Sequence, residues 1–520
     1  MNEYPCQNWQ VRKPMAQSRH GVVSSQNRLA AEAGIQVLNA GGNAIDAAVA
    51  TGLALGAVEP WNSGLGGVGF MLVYLAREMR VKVVDFGPLS PGGLNPADFP
   101  LTGGFTQDLF TWPSVKEDRN VHGPRSFVIP SNPAGLSLAL KSFGTLPWSE
   151  VIQPAIALAE KGLPVDWYLT LKIATMAQGL ARYPSSANIY LPKGFPPVSL
   201  SGEQLDHLPL KGLAQTLRQL AKAGADDFYK GAIANSMVKD TQAMGGILSL
   251  QDLAQYEARI VDPIHCEYRG VELALAPALT AGPSMLQCLG QLKDIPFNSG
   301  RPNAQAFLAY ANVLREAFSV RLSSMGDDTQ APEPTCTTHF NVVDREGNMV
   351  AHTQTLLSVF GSKVVLPETG ILMNNGIMWF DPRPGTPNTL GPKKRALTNM
   401  CPVIAYQNGQ PRFALGASGG RKIFPAVLQL TSFLIDYGMP LDEAFHHPRI
   451  DASGGESVGV DPRLAQPIKD VLQEKFPLNK TELVVYPTNF ACPSAVMQNA
   501  EGEHFGMSDV MSPNSASVGQ

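Results

Sequence analysis

The sequence predicts an α+β protein, built as a four-layer α/β/β/α sandwich of stacked antiparallel sheets with outer helices. Helical patterns dominate residues 131–321, whereas the chain from Thr337 onward shows strand alternation and turn signals. Helices that flank antiparallel strands indicate sheets covered by helices on their outer faces. A chain of 520 residues with 44% hydrophobic content can bury a core of that size. Size alone leaves open one large layered domain or several smaller ones.

Residues 28–58 are predicted to form a pair of helices, because apolar residues recur at helical spacing and Gly41 and Gly42 interrupt them. The second helix is Ala-rich and apolar nearly all round, so it belongs between other layers. A Gly-rich turn then leads into one predicted strand, and another strand follows. Their sequences are EPWNSGLGGVGFMLVYLA and VKVVDFG.

The remaining elements are also predicted from periodicity and turn residues. Helices are expected at PAGLSLALKSFG, WSEVIQPAIALAEKG and NAQAFLAYANVLREAFSVRL. From Thr337, the segments THFNVVD, REGN and MVAHTQTL predict a β-hairpin. Further strands are predicted at GILMNNGI, CPVIAYQNG and PRFALGAS, then a helix at KIFPAVLQLTSFLIDYG and a closing hairpin at VMQNAEGEHFGMSD.

Charge and termini indicate the class of partner and the compartment. A net charge of −4 and a pI near 6.2 provide no basic face for nucleic acid or for an anionic membrane, so a small-molecule partner is expected. The N-terminal residues MNEYPCQNWQVRKPMAQSRHG lack an apolar stretch of signal-peptide length, and no later run is long enough to span a bilayer. We therefore expect a cytoplasmic protein.

The sequence predicts neither a metal site nor a nucleotide cofactor. The 6 cysteines are scattered without a C-x-x-C pair or a histidine at ligand spacing, which favours buried thiols. His446 and His447 are adjacent and would point in different directions on a helix, which disfavours a shared metal. Gly64, Gly66 and Gly69 match G-x-G-x-x-G, but the motif opens a strand rather than a helix, so nicotinamide or flavin binding is not expected.

The segment GASGG matches the G-x-S-x-G nucleophile elbow and places Ser418 between a strand and a helix. Asp436 or Asp442, and then His446 or His447, follow in the order of a catalytic triad. A serine hydrolase that uses Ser418 is therefore an alternative from another mechanistic class. An elbow serine normally lies in a parallel sheet, however, and the surrounding sequence predicts hairpins.

The same segment also fits a tight turn that serves a nucleophile elsewhere. Gly419 and Gly420 are adjacent, so the backbone can approach a substrate oxygen closely. Consecutive N–H groups in such a turn form an oxyanion hole. This interpretation requires a separate nucleophile.

Several ordered blocks point to that nucleophile. The first block is GGNAIDAAVATGLALGAVEPWNSGLGGVGFMLVY, and the second begins at Thr337 with TTHFNVVD followed by GN. GILMNN, GPKKR, GASGG and DYGMPLDEAFHHPRI come next, in that order. Over most of its length the chain thus resembles the gamma-glutamyltransferase family of N-terminal nucleophile (Ntn) hydrolases, which implies the Ntn-hydrolase fold.

The resemblance implies that the chain cuts itself between Cys336 and Thr337. The products would be a large chain, 1–336, and a small chain, 337–520, which together form one Ntn-hydrolase domain. The Thr337 hydroxyl attacks the preceding carbonyl, and water opens the resulting ester. The freed α-amine, with a reference pKa of roughly 7.7 to 8.0, can then act as the general base near neutral pH.

Other roles follow from position in the resemblance. Thr355 resembles the second threonine that supports the nucleophile, and Gly419 with Gly420 resembles the oxyanion pair. No cofactor is implied. The large and small chains are expected to stay associated, and the sequence leaves open whether that pair dimerises.

The residues that would recognise a glutamyl group differ from the family pattern. Gly87 stands where the family has the arginine that clamps the α-carboxylate. Leu357 matches the asparagine after the second threonine. Gly376 and Trp379 match the glutamine and aspartate that hold the α-amine. Because unpaired buried polar groups cost about 1 to 3 kcal/mol, a glutamyl zwitterion is expected to bind badly.

Within the family, the oxamate amidohydrolase type fits a cytoplasmic, glutamate-blind enzyme whose lid, RPGTPNTLGPKKR, is short enough to admit water. A small anionic amide needs a cation, for which Arg395 and Arg421 are the candidates. Thr398 and Asn399, which match two family serines, and Trp379 complete the predicted binding residues. The alternatives are a gamma-glutamyl transferase or hydrolase and a cephalosporin or glutaryl acylase.

Overall fold

The computed structural model describes residues 11–106, 112–200, 204–325, 337–486 and 488–520, and side chains in all of these except 322–325. Cys336, and with it one side of the predicted cut, lies outside the described residues. Within them, no helix is both long enough and apolar enough to cross a membrane.

Among the described residues, strands form the two inner layers and three smaller sheets. In chain order they are β1 (Ala16–Ser18), β2 (Gly21–Ser25), β3 (Val68–Leu75), β4 (Arg80–Phe86), β5 (Leu101–Phe105), β6 (Pro113–Val115), β7 (Leu163–Pro164), β8 (His207–Leu208), β9 (Arg259–Val261), β10 (Ile264–Tyr268), β11 (Val271–Leu275), β12 (Thr338–Asp344), β13 (Met349–Thr355), β14 (Val403–Gln407), β15 (Gln410–Ser418), β16 (Ile450–Asp451), β17 (Val458–Val460), β18 (Leu478–Lys480), β19 (Cys492–Gln498), β20 (His504–Ser508) and β21 (Ala516–Gly519).

Helices supply the outer layers. They are α1 (Arg28–Asn39), α2 (Ala44–Val58), α3 (Asn132–Phe143), α4 (Trp148–Val151), α5 (Gln153–Lys161), α6 (Trp167–Ala181), α7 (Pro184–Tyr190), α8 (Lys211–Ala223), α9 (Asp227–Lys230), α10 (Ala232–Ala243), α11 (Leu250–Gln255), α12 (Gly282–Leu292), α13 (Ala304–Met325), α14 (Ile423–Ile435), α15 (Leu441–His446) and α16 (Gln466–Gln473). Short 3-10 turns occur at Pro96–Asp98, Lys116–Asp118, Pro124–Ser126, Pro192–Gly194, Gly376–Trp379 and Gly420–Lys422.

Two 7-stranded antiparallel sheets face each other. Sheet A has the order β1-β20-β19-β15-β14-β11-β10, and sheet B has the order β21-β2-β12-β13-β3-β4-β9. An apolar cluster that includes Leu72, Val83, Ala351, Ile404 and Ala414 fills the space between them. Helix α2 packs on the outer face of sheet B, and α12 and α14 pack on sheet A. The predicted α/β/β/α sandwich is confirmed.

The helix pair at residues 28–58 is confirmed, and its caps explain its ends. Asn27 accepts a hydrogen bond from a backbone N–H of α1, and Asn43 forms a capping box with Asp46 at the start of α2. Every residue of α2 is buried, as expected for an apolar helix between a sheet and outer helices. This helix ends immediately before Glu59, which lies near the functional site described below.

The hairpin predicted from Thr337 is confirmed as β12 and β13, but the strand predicted at GILMNNGI is wrong. That segment makes only isolated bridges, Val365 with Leu372 and Gly66 with Met373, and then enters a 3-10 turn. The buried Asn374 side chain takes the place of a ladder by donating to the carbonyl of Gly66 at 2.7 Å. It also accepts from the N–H of Val128 at 2.9 Å. Side-chain amides of this kind compete with regular strand pairing.

Candidate active site

Thr337 lies immediately before β12, an inner strand of sheet B, and is only 6% exposed. Its hydroxyl donates a hydrogen bond to the Thr355 hydroxyl oxygen at 3.3 Å. Thr355 is 1% exposed and also accepts from the N–H of Leu357 at 2.8 Å. The predicted nucleophile and its predicted supporting threonine are therefore brought together at the end of the hairpin.

The turn after β13 holds this arrangement in a strained conformation. Leu357 is buried and has a φ of 85°, a value that non-glycine residues seldom adopt. Such a conformation costs on the order of 1–3 kcal/mol and persists where the surrounding structure imposes it. The strain directs the Leu357 N–H back to the Thr355 hydroxyl.

The GASGG segment forms a turn between β15 and α14. Gly419 has a φ of 134° and Gly420 a φ of 54°, both in the region that favours glycine. The strand ends at Ser418 and α14 begins at Ile423. This geometry matches the predicted glycine turn.

Contacts between the sheets place that turn at the same end of the sandwich as Thr337. Gly416 packs so closely on the His339 ring that an added Cβ would lie 2.3 Å from a ring atom. The Gln26 amide nitrogen donates to the Ser418 hydroxyl, and its amide oxygen accepts from the Thr338 hydroxyl at 3.2 Å. One glutamine side chain therefore joins the residue next to the predicted nucleophile to the residue next to the predicted oxyanion pair.

The structure does not assemble a triad around Ser418. The strand that carries it, β15, is antiparallel to both of its neighbours, unlike a nucleophile elbow. His446 binds the Asp442 carbonyl through Nδ1 at 2.7 Å and the Lys13 N–H through Nε2 at 3.2 Å. Asp436 binds Tyr268 and Arg269 instead.

His447 is also bonded elsewhere, because its Nδ1 lies 2.9 Å from the Pro448 carbonyl oxygen. Among the described residues, the Ser418 hydroxyl thus bonds to the Gln26 amide and to the Cys492 thiol and not to a histidine. The serine-hydrolase alternative loses its geometric basis.

Glu59 is a buried acid next to the nucleophile strand. The Thr338 hydroxyl lies 2.7 Å from its Oε2 atom, and the residue is 3% exposed. Burial raises the pKa of Glu59 to about 7, although hydrogen bonds from Thr338 and Asn62 and the charge of Lys172 act in the opposite direction. The side chain is thus poised to gain or lose a proton near neutral pH.

A cavity of about 110 Å³ lies at the edge of sheet B that is formed by β4 and β9, and we call it the arginine cavity. Arg259 and Arg395 both pair with Asp85 in its wall, the second at 3.3 Å. Two guanidinium groups on one carboxylate leave a net positive charge. The rest of the lining is mostly apolar and comprises Phe70, Gly87, Pro88, Val261, Pro277, Ala278, Leu279 and Ala396.

The register of sheet B relates this cavity to Thr337. Thr355 pairs with Val68, and Phe70 pairs with both Thr353 and Asp85. Because side chains alternate between the faces of a strand, Thr355 and Phe70 share the face that looks toward sheet A. Three strand spacings, about 14 Å, separate the strand of the nucleophile from the strand of Asp85.

The positions expected to bind a glutamyl group are packed with apolar side chains. A Cβ at Gly87 would lie 2.6 Å from the Phe70 ring, and one at Gly376 would lie 2.4 Å from Val128. Trp379 is 3% exposed and belongs to the same apolar cluster as Leu357. The side chains at these positions therefore offer no carboxylate to an α-amine and no cation to an α-carboxylate, although Gly87 itself borders the arginine cavity.

The other predicted binding residues lie in two places. Arg395 lines the arginine cavity, and Thr398 follows it, fully buried, with its hydroxyl on the Leu279 carbonyl at 3.1 Å. Arg421 does not line that cavity, and burial lowers its pKa to about 10. Burial, together with the positive charge of Arg421, lowers the pKa of Arg321. The Arg321 guanidinium donates to the Asn399 side-chain oxygen at 3.3 Å. The two candidate arginines thus do not converge on one point.

Four residues that connect these parts were not predicted as site residues. Gln26 and Arg259 belong to no motif, whereas Glu59 and Asp85 lie inside segments that predicted only a turn and a strand, and all four meet the site through contacts that span much of the chain. A signal existed for Glu59 and Asp85, since each is an acid in an otherwise apolar run. Arg259 offered none.

The arrangement suits acyl transfer to a threonine hydroxyl. In such a reaction Thr337 would offer the nucleophile, Thr355 would orient it, and the glycine turn beside Ser418 would offer backbone N–H groups to a developing oxyanion. Among the described residues, no group of histidine, cysteine, aspartate and glutamate side chains forms a metal site.

Known proteins similar to this chain include proenzymes. A family model described as gamma-glutamyltranspeptidase matches residues 30–336 and 328–519. The acylase ACY 1 proenzyme of Pseudomonas sp. (strain SE83) is 34% identical over 481 residues, which cover 85% of this chain and 84% of that protein. The glutathione hydrolase proenzyme of Bacillus subtilis (strain 168) is 30% identical over 501 residues, which cover 86% and 83%.

Solved structures agree on the fold. A cephalosporin acylase from Bacillus halodurans matches with a TM-score of 0.86 and 24% identity, over 100% of this chain and 99% of that one. At this identity the likeness is one of fold alone. Helicobacter pylori gamma-glutamyltranspeptidase matches with a TM-score of 0.51 and 29% identity, over 62% of this chain and 86% of that one.

Proposed function

Because the chain belongs to the gamma-glutamyltranspeptidase family of Ntn hydrolases, which act on amide C–N bonds, we propose that it hydrolyses the amide of a small, anionic, non-glutamyl acid, such as oxamate. The observation that carries the proposal is the hydrogen bond from the Thr337 hydroxyl to Thr355 at the start of β12. In this proposal the chain first cuts itself between Cys336 and Thr337.

The proposed chemistry uses the threonine twice. In the precursor, the Thr337 oxygen attacks the carbonyl of residue 336, the C–N bond breaks to free the α-amine, and water then hydrolyses the ester to restore the hydroxyl and release the carboxyl group of residue 336. That amine then takes the hydroxyl proton while the oxygen attacks the substrate amide. Gly419 and Gly420 stabilise the oxyanion, the leaving amine receives the proton, and water releases the acid.

Rejection of glutamyl donors rests on the apolar packing at the three replaced positions. Gly87, Gly376 and Trp379 carry no acceptor for an α-amine, and Asp85 beside Gly87 is already paired with Arg259 and Arg395, so the rejection concerns the α-amine rather than the α-carboxylate. Binding energy that would hold a glutamyl carbonyl against Thr337 is therefore missing, which lowers kcat/KM.

The arginine cavity favours a second candidate, a glutaryl-type acylase. An oxamyl group carries its carboxylate one bond from the reacting carbonyl. The strand of Asp85, in the cavity wall, lies about 14 Å from the strand that follows Thr337, and the arginine side chains span part of that distance. A dicarboxylic acyl chain of about five carbons would bridge the remaining gap better. The 34% identical relative is named an acylase proenzyme, which supports an acylase activity without naming the acyl group.

A substrate panel tests the proposal. Oxamate, a glutaryl amide and a gamma-glutamyl anilide are compared by ammonia or amine release, with and without glycylglycine. We expect the glutamyl anilide to have the lowest kcat/KM and glycylglycine to change the rates little. A glutamyl donor that is preferred and strongly accelerated by glycylglycine would contradict the proposal.

A pair of variants tests whether the substrate carboxylate binds in the arginine cavity. Arg259→Gln should raise KM about tenfold for a substrate whose carboxylate reaches the cavity, since a charge-assisted contact is worth roughly 1.5 kcal/mol or more. Arg463→Gln is the matched control, because Arg463 is 48% exposed and pairs with the buried Asp461, while Arg259 is 50% exposed. Equal KM values in both variants would place the anion outside the arginine cavity.

A further inference from the structure

A chain of buried hydrogen bonds crosses from the nucleophile strand to the glycine turn. The Thr338 hydroxyl lies 2.7 Å from Glu59 Oε2 and 3.2 Å from Gln26 Oε1. The Gln26 amide nitrogen then donates to the Ser418 hydroxyl and to the Cys492 carbonyl at 3.2 Å. All of these groups except Cys492 are less than 9% exposed.

When Glu59 is ionised, these hydrogen-bonded side chains have too few protons to supply every acceptor oxygen. Thr338 has one hydroxyl proton but faces two acceptor oxygens, one on Glu59 and one on Gln26. If Glu59 is a carboxylate, the proton goes to the carboxylate and the Gln26 oxygen loses its donor. If Glu59 carries a proton, it donates to Thr338, and Thr338 donates to Gln26.

We propose that Glu59, Thr338 and Gln26 form a positioning relay, which holds Thr337 in register with the glycine turn when Glu59 is protonated. The relay joins sheet B, which carries Thr337, to β15 of sheet A, which carries the turn. Its members touch no substrate. They act through the placement of the nucleophile and the oxyanion donors, where a misplacement of about 1 Å can cost roughly a hundredfold in rate.

The charges around Glu59 are consistent with this role. Lys172 from α6 favours the carboxylate, and its ammonium group lies over the Tyr168 and Tyr486 rings. The Cys492 thiol from β19 also faces Glu59, and burial raises its pKa well above the ordinary value, so it stays neutral. Desolvation outweighs the charge of Lys172, and the proton is held up to a pH near 7.

The inference rests on the proposed role of Thr337 but not on the identity of the substrate. Self-cleavage of the full chain is therefore the preferred readout, because the protein is its own substrate. The rate is measured by mass spectrometry of freshly translated or refolded chain at a series of pH values.

The Thr338 hydroxyl is tested with a conservative pair. Thr338→Val keeps the shape and removes the hydroxyl, and we expect self-cleavage to slow about tenfold or more, as for a lost positioning contact. Thr338→Ser restores the hydroxyl and should restore the rate. Thr216→Val is the matched control, since Thr216 is buried and its hydroxyl donates to the Thr369 carbonyl at 2.7 Å in a remote part of the fold. Equal rates for Thr338→Val and Thr216→Val would overturn the proposal.

The protonation of Glu59 is tested with Glu59→Gln, whose amide can donate to Thr338 at any pH. The ratio of the variant rate to the wild-type rate should rise roughly tenfold between pH 6 and pH 8.5, as wild-type Glu59 loses its proton. A purely structural role would leave this ratio constant. A constant ratio, or a variant that is inactive at every pH, would overturn the proposal.

The bridge itself is tested with Gln26→Met, which keeps the length and removes both polar atoms. We expect slower self-cleavage with little loss of thermal stability beyond that of Gln429→Met. Gln429 is a suitable control because its amide is fully buried and donates to the Pro425 and Ile450 carbonyls, both at 2.8 Å. Rates equal to the control would overturn the proposal.

Thr337→Ala distinguishes a failure of the proposed function from a failure of the relay alone. If that variant is still cut, Thr337 is not the nucleophile, and the proposed function and the relay fail together. If it stays uncut while Glu59→Gln, Thr338→Val and Gln26→Met all process like wild type, only the relay fails.

Discussion

The burial of Glu59 has a consequence for stability as well as for placement. Its pKa is raised from an ordinary value of 4.5 to about 7, so between these values the folded protein binds more protons than the unfolded chain. Stability from this group is therefore full below pH 4.5 and falls as the pH rises through 7. The loss is about 3 kcal/mol at most.

Glu59→Gln should remove this dependence. We expect the Tm of the variant minus that of wild type to grow by about 3 °C between pH 5 and pH 8, given the size of the chain. Other titrating groups are shared by both proteins and cancel in the difference. Thermal unfolding in a pH series measures it, and a difference that shrinks with pH would mean that Glu59 is stabilised as a carboxylate.

Ser418 provides a residue-level test of the nucleophile assignment. Ser418→Ala removes one acceptor of Gln26, but the Cys492 carbonyl remains at 3.2 Å. We expect processing to persist and activity to fall less than about tenfold, the value of one neutral hydrogen bond. Complete loss of activity with intact processing, together with fluorophosphonate labelling of Ser418, would favour the serine-hydrolase alternative.

At this scale, the sequence predicted roles for groups that lie in motifs and missed contacts that are made across the fold. Thr337, Thr355 and the glycine turn carry local signatures, and the structure places them at one end of the sandwich. Gln26 and Arg259 act through partners hundreds of residues away or on neighbouring strands. No periodicity or spacing in a single sequence encodes such contacts.

Among the elements, the contact between β15 and β12 sets how closely the sheets approach. An alanine at Gly416 would put its Cβ 2.3 Å from the His339 ring, which is fully buried and bonded to Thr353 at 2.8 Å. Because the ring cannot retreat, we expect Gly416→Ala to destabilise the protein by roughly 1–3 kcal/mol and to slow processing.

Gly290→Ala is the matched control in α12. Nothing lies within 4 Å of a Cβ at Gly290, so the same substitution should stabilise the helix by roughly 0.5–1 kcal/mol. The two variants should shift Tm in opposite directions in thermal unfolding. Shifts of the same sign would contradict the close approach at Gly416.

Strong periodicity predicted most elements, and buried polar residues explain why the strand predicted at GILMNNGI does not form. The helices α1 and α2, the hairpin of β12 and β13, and β15 followed by α14 were all predicted. The segment GILMNNGI alternates well enough to suggest a strand. Its Asn374 and Asn375 amides instead bind loop carbonyls, at Gly66 and at Val121, so the backbone leaves the ladder.

At the scale of the whole molecule, the proposed cut divides the sequence but not the fold. In sheet B, β12 of the proposed small chain pairs with β2 of the large chain, and β13 pairs with β3. In sheet A, β14 pairs with β11 across the same division. Both chains would share both sheets, so a processed enzyme should stay together until it unfolds.

Whether Thr337 becomes an N-terminal nucleophile is decided by the mass of the purified protein under denaturing conditions. We expect two chains, 1–336 and 337–520, with threonine as the N-terminal residue of the small chain, and a single uncut, inactive chain for Thr337→Ala. Fully active protein that remains one chain of 520 residues, or a Thr337→Ala variant that is still cut at residue 337, would contradict it.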